Sequence, residues 1–112
     1  MKMIIAIIDP DKLDSVHDEL KKTEINYIVV MKAKASAIEG GFTERYRGST
    51  YVTDYYDFTR VEIVVDDDKL DSAIKTILDV TGGDKAIGRI FTSTIDDAIN
   101  IATHKTGAEA IA

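Results

Sequence analysis

One passage occurs twice in this chain. Ile7-Ile8-Asp9-Pro10-Asp11-Lys12-Leu13-Asp14-Ser15-Val16 reappears as Val64-Val65-Asp66-Asp67-Asp68-Lys69-Leu70-Asp71-Ser72-Ala73, 57 positions further on. Each copy reads as an apolar strand, an acidic corner and the start of a helix. Two strand–helix units in 112 residues are too few and too widely spaced for a solenoid. They predict a duplicated βαβ plan, an α+β ferredoxin-like fold of order βαββαβ. A chain of this length is expected to form a single domain over 1–112.

The remaining pattern agrees with that plan. Met1 to Ile8 is a near-continuous apolar run, expected of a central strand covered on both faces. Asp9 is placed to cap the first helix, with Pro10 at its first position, where a missing N–H costs nothing. Leu13, Val16 and Leu20 form one helical face. Asn26 to Lys34 predicts a second strand and Phe58 to Val65 a third. In the second helix Leu70, Ile74, Ile77 and Leu78 form the apolar stripe. Asp66 to Asp68 put negative charge at its positive end, and Gly82-Gly83 stop it. Ala86 to Thr92 predicts a short fourth strand. Ser93 with Asp96 predicts a capping box and a short helix through about Ile101. The acidic corners read as helix caps rather than a calcium loop, because no turning glycine and terminal glutamate follow at the required spacing.

Composition narrows the function. A net charge of −6 argues against a nucleic-acid binder and against attachment to an anionic membrane surface. The absence of cysteine excludes disulfides and thiolate metal sites and fits a reducing compartment. The apolar opening is too short for a signal peptide or a membrane span, so a cytoplasmic protein without direct membrane insertion is expected. No Ser/His/Asp or Cys/His set is visible, and a non-enzyme is expected.

Phe42 to Asp57, FTERYRGSTYVTDYYD, is the stretch with no evident core role. It holds Tyr46, Tyr51, Tyr55 and Tyr56 with Arg45 and Arg47, between two predicted strands. Long loops of this kind carry function. Tyrosine offers a large amphipathic contact area at low entropy cost, so a partner-contact surface is expected here.

These residues resemble the PII signal-transduction family. The resemblance rests on MKMIIAIIDPDKLDSV, Thr43-Glu44 with Tyr46-Arg47-Gly48, Tyr51 and Asp54, Val61 to Val65, Gly88-Arg89-Ile90-Phe91, and Asp97-Ala98-Ile99. It implies a homotrimer with adenine-nucleotide sites in the clefts between subunits. It implies a T-loop at about 37–57, which presses against a transporter or a metabolic enzyme. It further implies a B-loop at about 82–89 and a C-terminal tail at about 102–112. Arg45, Tyr46, Arg47, Tyr51 and Tyr55 are the implied partner-contact residues, with Tyr51 at a position that some members modify. In several members ATP and magnesium also recruit 2-oxoglutarate at the loop base.

The departures from the family pattern shape the expectation. Where the family carries glycine, a basic residue, glutamine and lysine, this chain has Ala37-Ile38-Glu39-Gly40-Gly41. A carboxylate at Glu39 suits magnesium but repels a dicarboxylate. Phe58 stands where a lysine would pair with 2-oxoglutarate, so that sensing function is expected to be lost. The threonine that reads adenine is replaced by Val29, whereas Glu62 and the backbone of Val64 are retained. Two family arginines become Asn100 and Ala102, with His104 and Lys105 nearby as substitute positive charge.

The implied nucleotide site therefore comprises Ile7, Val29, Lys34, Ala37 and Ile38, then Glu62, Ile63 and Val64. It continues with Ala86, Ile87, Gly88 and Arg89, and ends at His104 and Lys105. Gly88 would let backbone approach a phosphate and Arg89 would grip it. The expectation is a sensor of ADP or ATP that regulates nitrogen utilisation or a related process through its loop. A PII-like sensor of another ligand, such as a cyclic nucleotide, is the alternative. A small phosphate-handling enzyme is a third reading, disfavoured because Asp9-Pro10-Asp11 would repel phosphate.

Overall fold

Both copies of the repeated passage fold in the same way. In this computed structural model, strand β1 (Lys2–Ile8) leads through a single 3-10 turn, Pro10–Lys12, into helix α1 (Leu13–Lys21). Strand β5 (Tyr56–Val65) leads through Asp67–Lys69 into helix α2 (Leu70–Thr81). The Lys12 amide donates to the Asp9 carbonyl and the Lys69 amide to the Asp66 carbonyl, each at 3.0 Å. Asp9 thus caps the turn rather than the helix, its Oδ1 accepting from the Asp11 amide at 2.9 Å. The structure describes residues 1–36, 42–46, 49–53, 55–83 and 86–112.

The other elements are β2 (Val29–Ala35), β3 (Phe42–Tyr46), β4 (Ser49–Thr53) and β6 (Arg89–Thr94). Four strands make one antiparallel sheet of order β2-β5-β1-β6, which with two helices is the ferredoxin-like α+β arrangement. Ile4, Ala6 and Ile8 of β1 meet Val61, Ile63 and Val65 of β5, with Val16, Leu20, Ala73 and Ile77 from the helices, in one buried core. The buried residues of β1 alternate strictly, so the helices cover one face only. Met3, Ile5 and Ile7 lie half-buried on the other face, where the apolar run had predicted cover on both sides.

Several boundaries differ from the sequence reading. Strand β2 begins at Val29, leaving Asn26 to Ile28 outside any ladder. Leu78 is 51% exposed, because the stripe of α2 runs through Leu70, Ala73, Ile74 and Ile77 and position 78 lies one step round the helix. The capping-box helix from Ser93 does not form. Ser93 and Thr94 instead continue β6 opposite Met3 and Lys2, and the Ile95 amide donates to the Met1 carbonyl at 3.0 Å. Thr92, Ser93 and Thr94 suit a strand wherever β1 still offers partners.

The stretch read as a loop contains regular structure. β3 and β4 pair with each other as a two-stranded sheet, Phe42 opposite Thr53 and Tyr46 opposite Ser49. The molecule extends 55 × 24 × 21 Å, and its radius of gyration of 16.4 Å exceeds the roughly 13 Å expected of a compact chain of this length. No helix among the described residues is long and apolar enough to cross a membrane.

Candidate functional site

The uncovered face of the sheet can be read row by row from the strand register. One row runs Val29, Glu62, Ile5, Phe91; the next runs Met31, Arg60, Ile7, Arg89. Ile7 therefore lies between two arginines, one on each neighbouring strand. Arg60 donates from Nε (3.0 Å) and Nη2 (2.9 Å) to Glu62 Oε2 and so holds that half-buried carboxylate beside Val29 and Ile5. Arg89 is exposed, and its Nη1 donates to the Gly88 carbonyl at 2.7 Å.

Gly88 has a role that spacing alone did not reveal. Its φ is +129°, and a Cβ placed there would lie 2.1 Å from the Ile7 carbonyl oxygen. Glycine is required so that the chain can enter β6 directly against the backbone of β1. Ala86 and Ile87 precede it in irregular, exposed backbone, with the Ala86 amide donating to the Gly83 carbonyl at 3.0 Å.

At the other end of the sheet β2 stops pairing at Val29 opposite Glu62, so Ile63 to Val65 have no β2 partner on that edge. A cavity of about 1070 Å³ opens there, lined by Val64, Tyr27, Lys69, Asn100, Ile101 and Ala102 among others. The side chain of Ile63 turns into the core, which removes it from any ligand.

Asn100 builds a turn instead of presenting a charge. Its Oδ1 accepts from the amides of Ala102 (2.9 Å) and Thr103 (3.1 Å). Its own amide donates to the Lys105 carbonyl (2.9 Å), and its carbonyl accepts from the His104 amide (2.8 Å). His104 sits at φ +62° in this turn, exposed, as is Lys105. The segment predicted as helix is thus a tight reversal closed by a bridge between Ile99 and Thr106.

The ends of β2 and β5 that lead toward the β3–β4 hairpin carry an ion pair. Lys34 lies directly opposite Asp57, Nζ to Oδ1 at 2.8 Å. The hydrogen bond from Lys34, then its charge, hold the Asp57 carboxyl below the usual carboxylate range, with Lys32 adding to the effect against slight desolvation. Next to it Phe58 is buried on the sheet face away from the helices, its ring 6.1 Å from that of Tyr56.

The candidate residues therefore do not all gather in one place. Ile7, Ala86, Ile87, Gly88 and Arg89 gather at one end of the sheet and Val64 lies toward the other, with Val29 and Glu62 in the row next to Ile7 and Arg89 and with His104 and Lys105 in the turn after Asn100. Met3, beside Val64, and Ile7 are four strand residues apart, about 13 Å. Arg45, Tyr46 and Tyr51 lie on the hairpin strands, and Tyr55 is exposed just before β5. Ala37, Ile38, Glu39 and Arg47 lie outside the described residues. Sequence reasoning missed Arg60 and Tyr27. The alternation of Arg60 and Glu62 along a strand was the available signal for the first.

The P-II family model, described as Nitrogen regulatory protein P-II, matches residues 1–105. A protein of that name from Cereibacter sphaeroides is 38% identical over 112 residues, covering 99% of this chain and all of the relative. The nitrogen regulatory protein P-II of Pyropia yezoensis is also 38% identical with the same coverage. Nitrogen regulatory protein P-II 2 of Methanothermobacter thermautotrophicus is 36% identical, covering 99% of this chain and 97% of its own length.

Proposed function

The chain belongs to the nitrogen regulatory protein P-II family, and from that premise we propose that it is a non-catalytic signalling protein that binds ADP or ATP between the subunits of a homotrimer. The observation that carries this reading is the separation of Arg89, opposite Ile7, from the free edge at Val64, opposite Met3, toward the other end of the sheet. A ligand that uses both Arg89 and the free edge at Val64 needs the second half from a neighbouring copy. The uncovered face, with Met3, Ile5, Met31 and Phe91, is the apolar surface such a copy would cover.

The segment 37–57 is the arm through which nucleotide state reaches a partner, either a transporter or a metabolic enzyme, with Tyr51 and Tyr55 among its contacts. A nucleotide that prefers one arm conformation shifts the arm by that difference in affinity. Glu39 and Phe58 replace the groups that would hold 2-oxoglutarate, so the response is to adenylate state. Glu39 remains a suitable magnesium ligand.

Asn100 spends its side chain in a turn and Ala102 has none to offer, which leaves fewer cations for a γ-phosphate. ADP is therefore expected to bind at least as well as ATP. Titration calorimetry with ATP, ADP, AMP and cyclic AMP, with and without magnesium and 2-oxoglutarate, tests this reading. Sedimentation gives the oligomeric state. Binding of ADP to a trimer, unchanged by 2-oxoglutarate, is the expected result. No binding of any nucleotide at millimolar concentration overturns it, and a preference for cyclic AMP transfers the site to the cyclic-nucleotide reading.

A further inference from the structure

We propose that Tyr27 is the base-stacking residue of this nucleotide site, so that the ligand is held through a ring face beside the free edge of β5. The proposal rests on the nucleotide reading above and deepens it.

Four observations lead to it. Tyr27 is 76% exposed, unusual for a large aromatic side chain with no place in the core. It lies in the unpaired stretch before β2, and Ile25 and Ile28 on either side pack against the core. Those anchors fix the backbone while the ring stays outside. Tyr27 lines the cavity of about 1070 Å³ at the edge of β5, together with Val64 and Ile101. That volume is at the upper end for a small-ligand pocket and holds a nucleotide with room for solvent.

The chemistry of the lining matches a nucleotide with the base inward. An aromatic face stacks on a purine. The backbone of Val64, unpaired with β2, offers hydrogen-bonding groups to a base edge. Lys21 and Lys69 line the same cavity together with the carboxylates of Glu24 and Asp66, so its charges balance and the base, not the phosphate, is the part it holds. Lys69 is held only loosely, 3.9 Å from Glu24, and both side chains are substantially exposed. Val29, two residues further on, presents an apolar side chain and no hydroxyl, so base affinity at this edge depends on stacking rather than on a side-chain hydrogen bond.

The test uses the full-length protein and three forms: wild type, Tyr27→Phe and Tyr27→Ala. Stacking of one base on an aromatic ring contributes enough that alanine substitution is expected to weaken ADP binding on the order of ten- to a hundredfold. Tyr27→Phe keeps the ring and is expected to bind within about threefold of wild type. Pyrophosphate, which has no base, is expected to bind all three alike. The chain contains no tryptophan, so tyrosine emission can be followed directly. ADP is expected to quench wild-type emission more than that of Tyr27→Phe.

Circular dichroism and sedimentation of each variant establish that fold and assembly are kept. Equal ADP affinity of Tyr27→Ala and wild type overturns the proposal alone. So does a Tyr27→Phe form as weak as Tyr27→Ala, which would assign the effect to the hydroxyl. A wild-type protein that binds no adenine nucleotide overturns the functional reading first and this proposal with it.

Discussion

Replacing Gly88 by alanine separates a structural glycine from a phosphate-approaching one. The new Cβ would lie 2.1 Å from the Ile7 carbonyl oxygen and 3.3 Å from the Ile7 carbonyl carbon. The obstructing atoms are backbone of β1, which is paired on both sides, so no side chain can rotate away. At φ +129° an L-residue is also strained, by about 1–3 kcal/mol. Moving β6 aside loosens the Ile7–Arg89 end of the ladder, at about 1 kcal/mol for each hydrogen bond lost. The sum is about 3–5 kcal/mol, a fall in Tm of roughly 10–20 °C for a domain of this size. Gly107→Ala is the control: its φ is +63° with nothing within 4 Å of the added Cβ. Only backbone handedness resists it, at about 1–2 kcal/mol. Thermal unfolding of both variants at matched protein concentration is the assay. A Tm of Gly88→Ala no lower than that of Gly107→Ala would refute the packing argument. Unchanged stability with lost affinity for phosphate groups would restore the ligand role.

Three further outcomes are expected. Ile77→Ala, at a fully buried position, should cost about 2–5 kcal/mol by denaturant unfolding, whereas Leu78→Ala at 51% exposure should cost well under half as much. Lys34→Met should let the Asp57 carboxyl rise toward its ordinary value, followed by side-chain NMR titration. Because the folded-state value is depressed, the pair's contribution is present above the unfolded value near 3.9 and is lost as pH falls through the lower folded value. An unchanged titration in the variant would dismiss the ion pair as its cause. Asn100→Ala removes the acceptor for two amides, so hydrogen exchange at Ala102 and Thr103 should accelerate, with stability falling by about 1 kcal/mol. Equal exchange rates would show that the turn closes without the side chain.

The core was legible because both of its signals are local and periodic. Ile7 to Val16 and Val64 to Ala73 announce two strand–turn–helix units, and a right-handed pair of such units leaves few arrangements other than the observed sheet. Positions 93–94 were misplaced because their strand state depends on the length of a neighbour: Ser93 and Thr94 look like a helix cap but find Met3 and Lys2. Asn26 to Ile28 look like strand and stay unpaired although β5 continues past Glu62 to Val65, a departure that local pattern does not signal. A capping box is a preference of about a kilocalorie, and two extra rungs on a central strand outweigh it.

The site was less legible because its parts are defined by what lies opposite, not by what lies next in the chain. Gly88-Arg89 suggests a phosphate grip when read alone; opposite the Ile7 carbonyl, the glycine becomes a condition for β6 to dock at all. Asn100 reads as an arginine lost until its carboxamide is seen closing a turn onto Ala102 and Thr103. Tyr27 attracted no notice because it sits in a predicted strand, where an aromatic is ordinary. It matters because that strand starts two residues later, which leaves the ring exposed beside an open sheet edge. The same shortening of β2 that spoils the strand prediction thus creates both the unpaired backbone at Val64 and the exposed ring. A longer β2 that paired Tyr27 with Val64 would satisfy the edge and remove the cavity in one step. The most informative departure from sequence expectation therefore coincides with the place where a ligand finds its groups unclaimed.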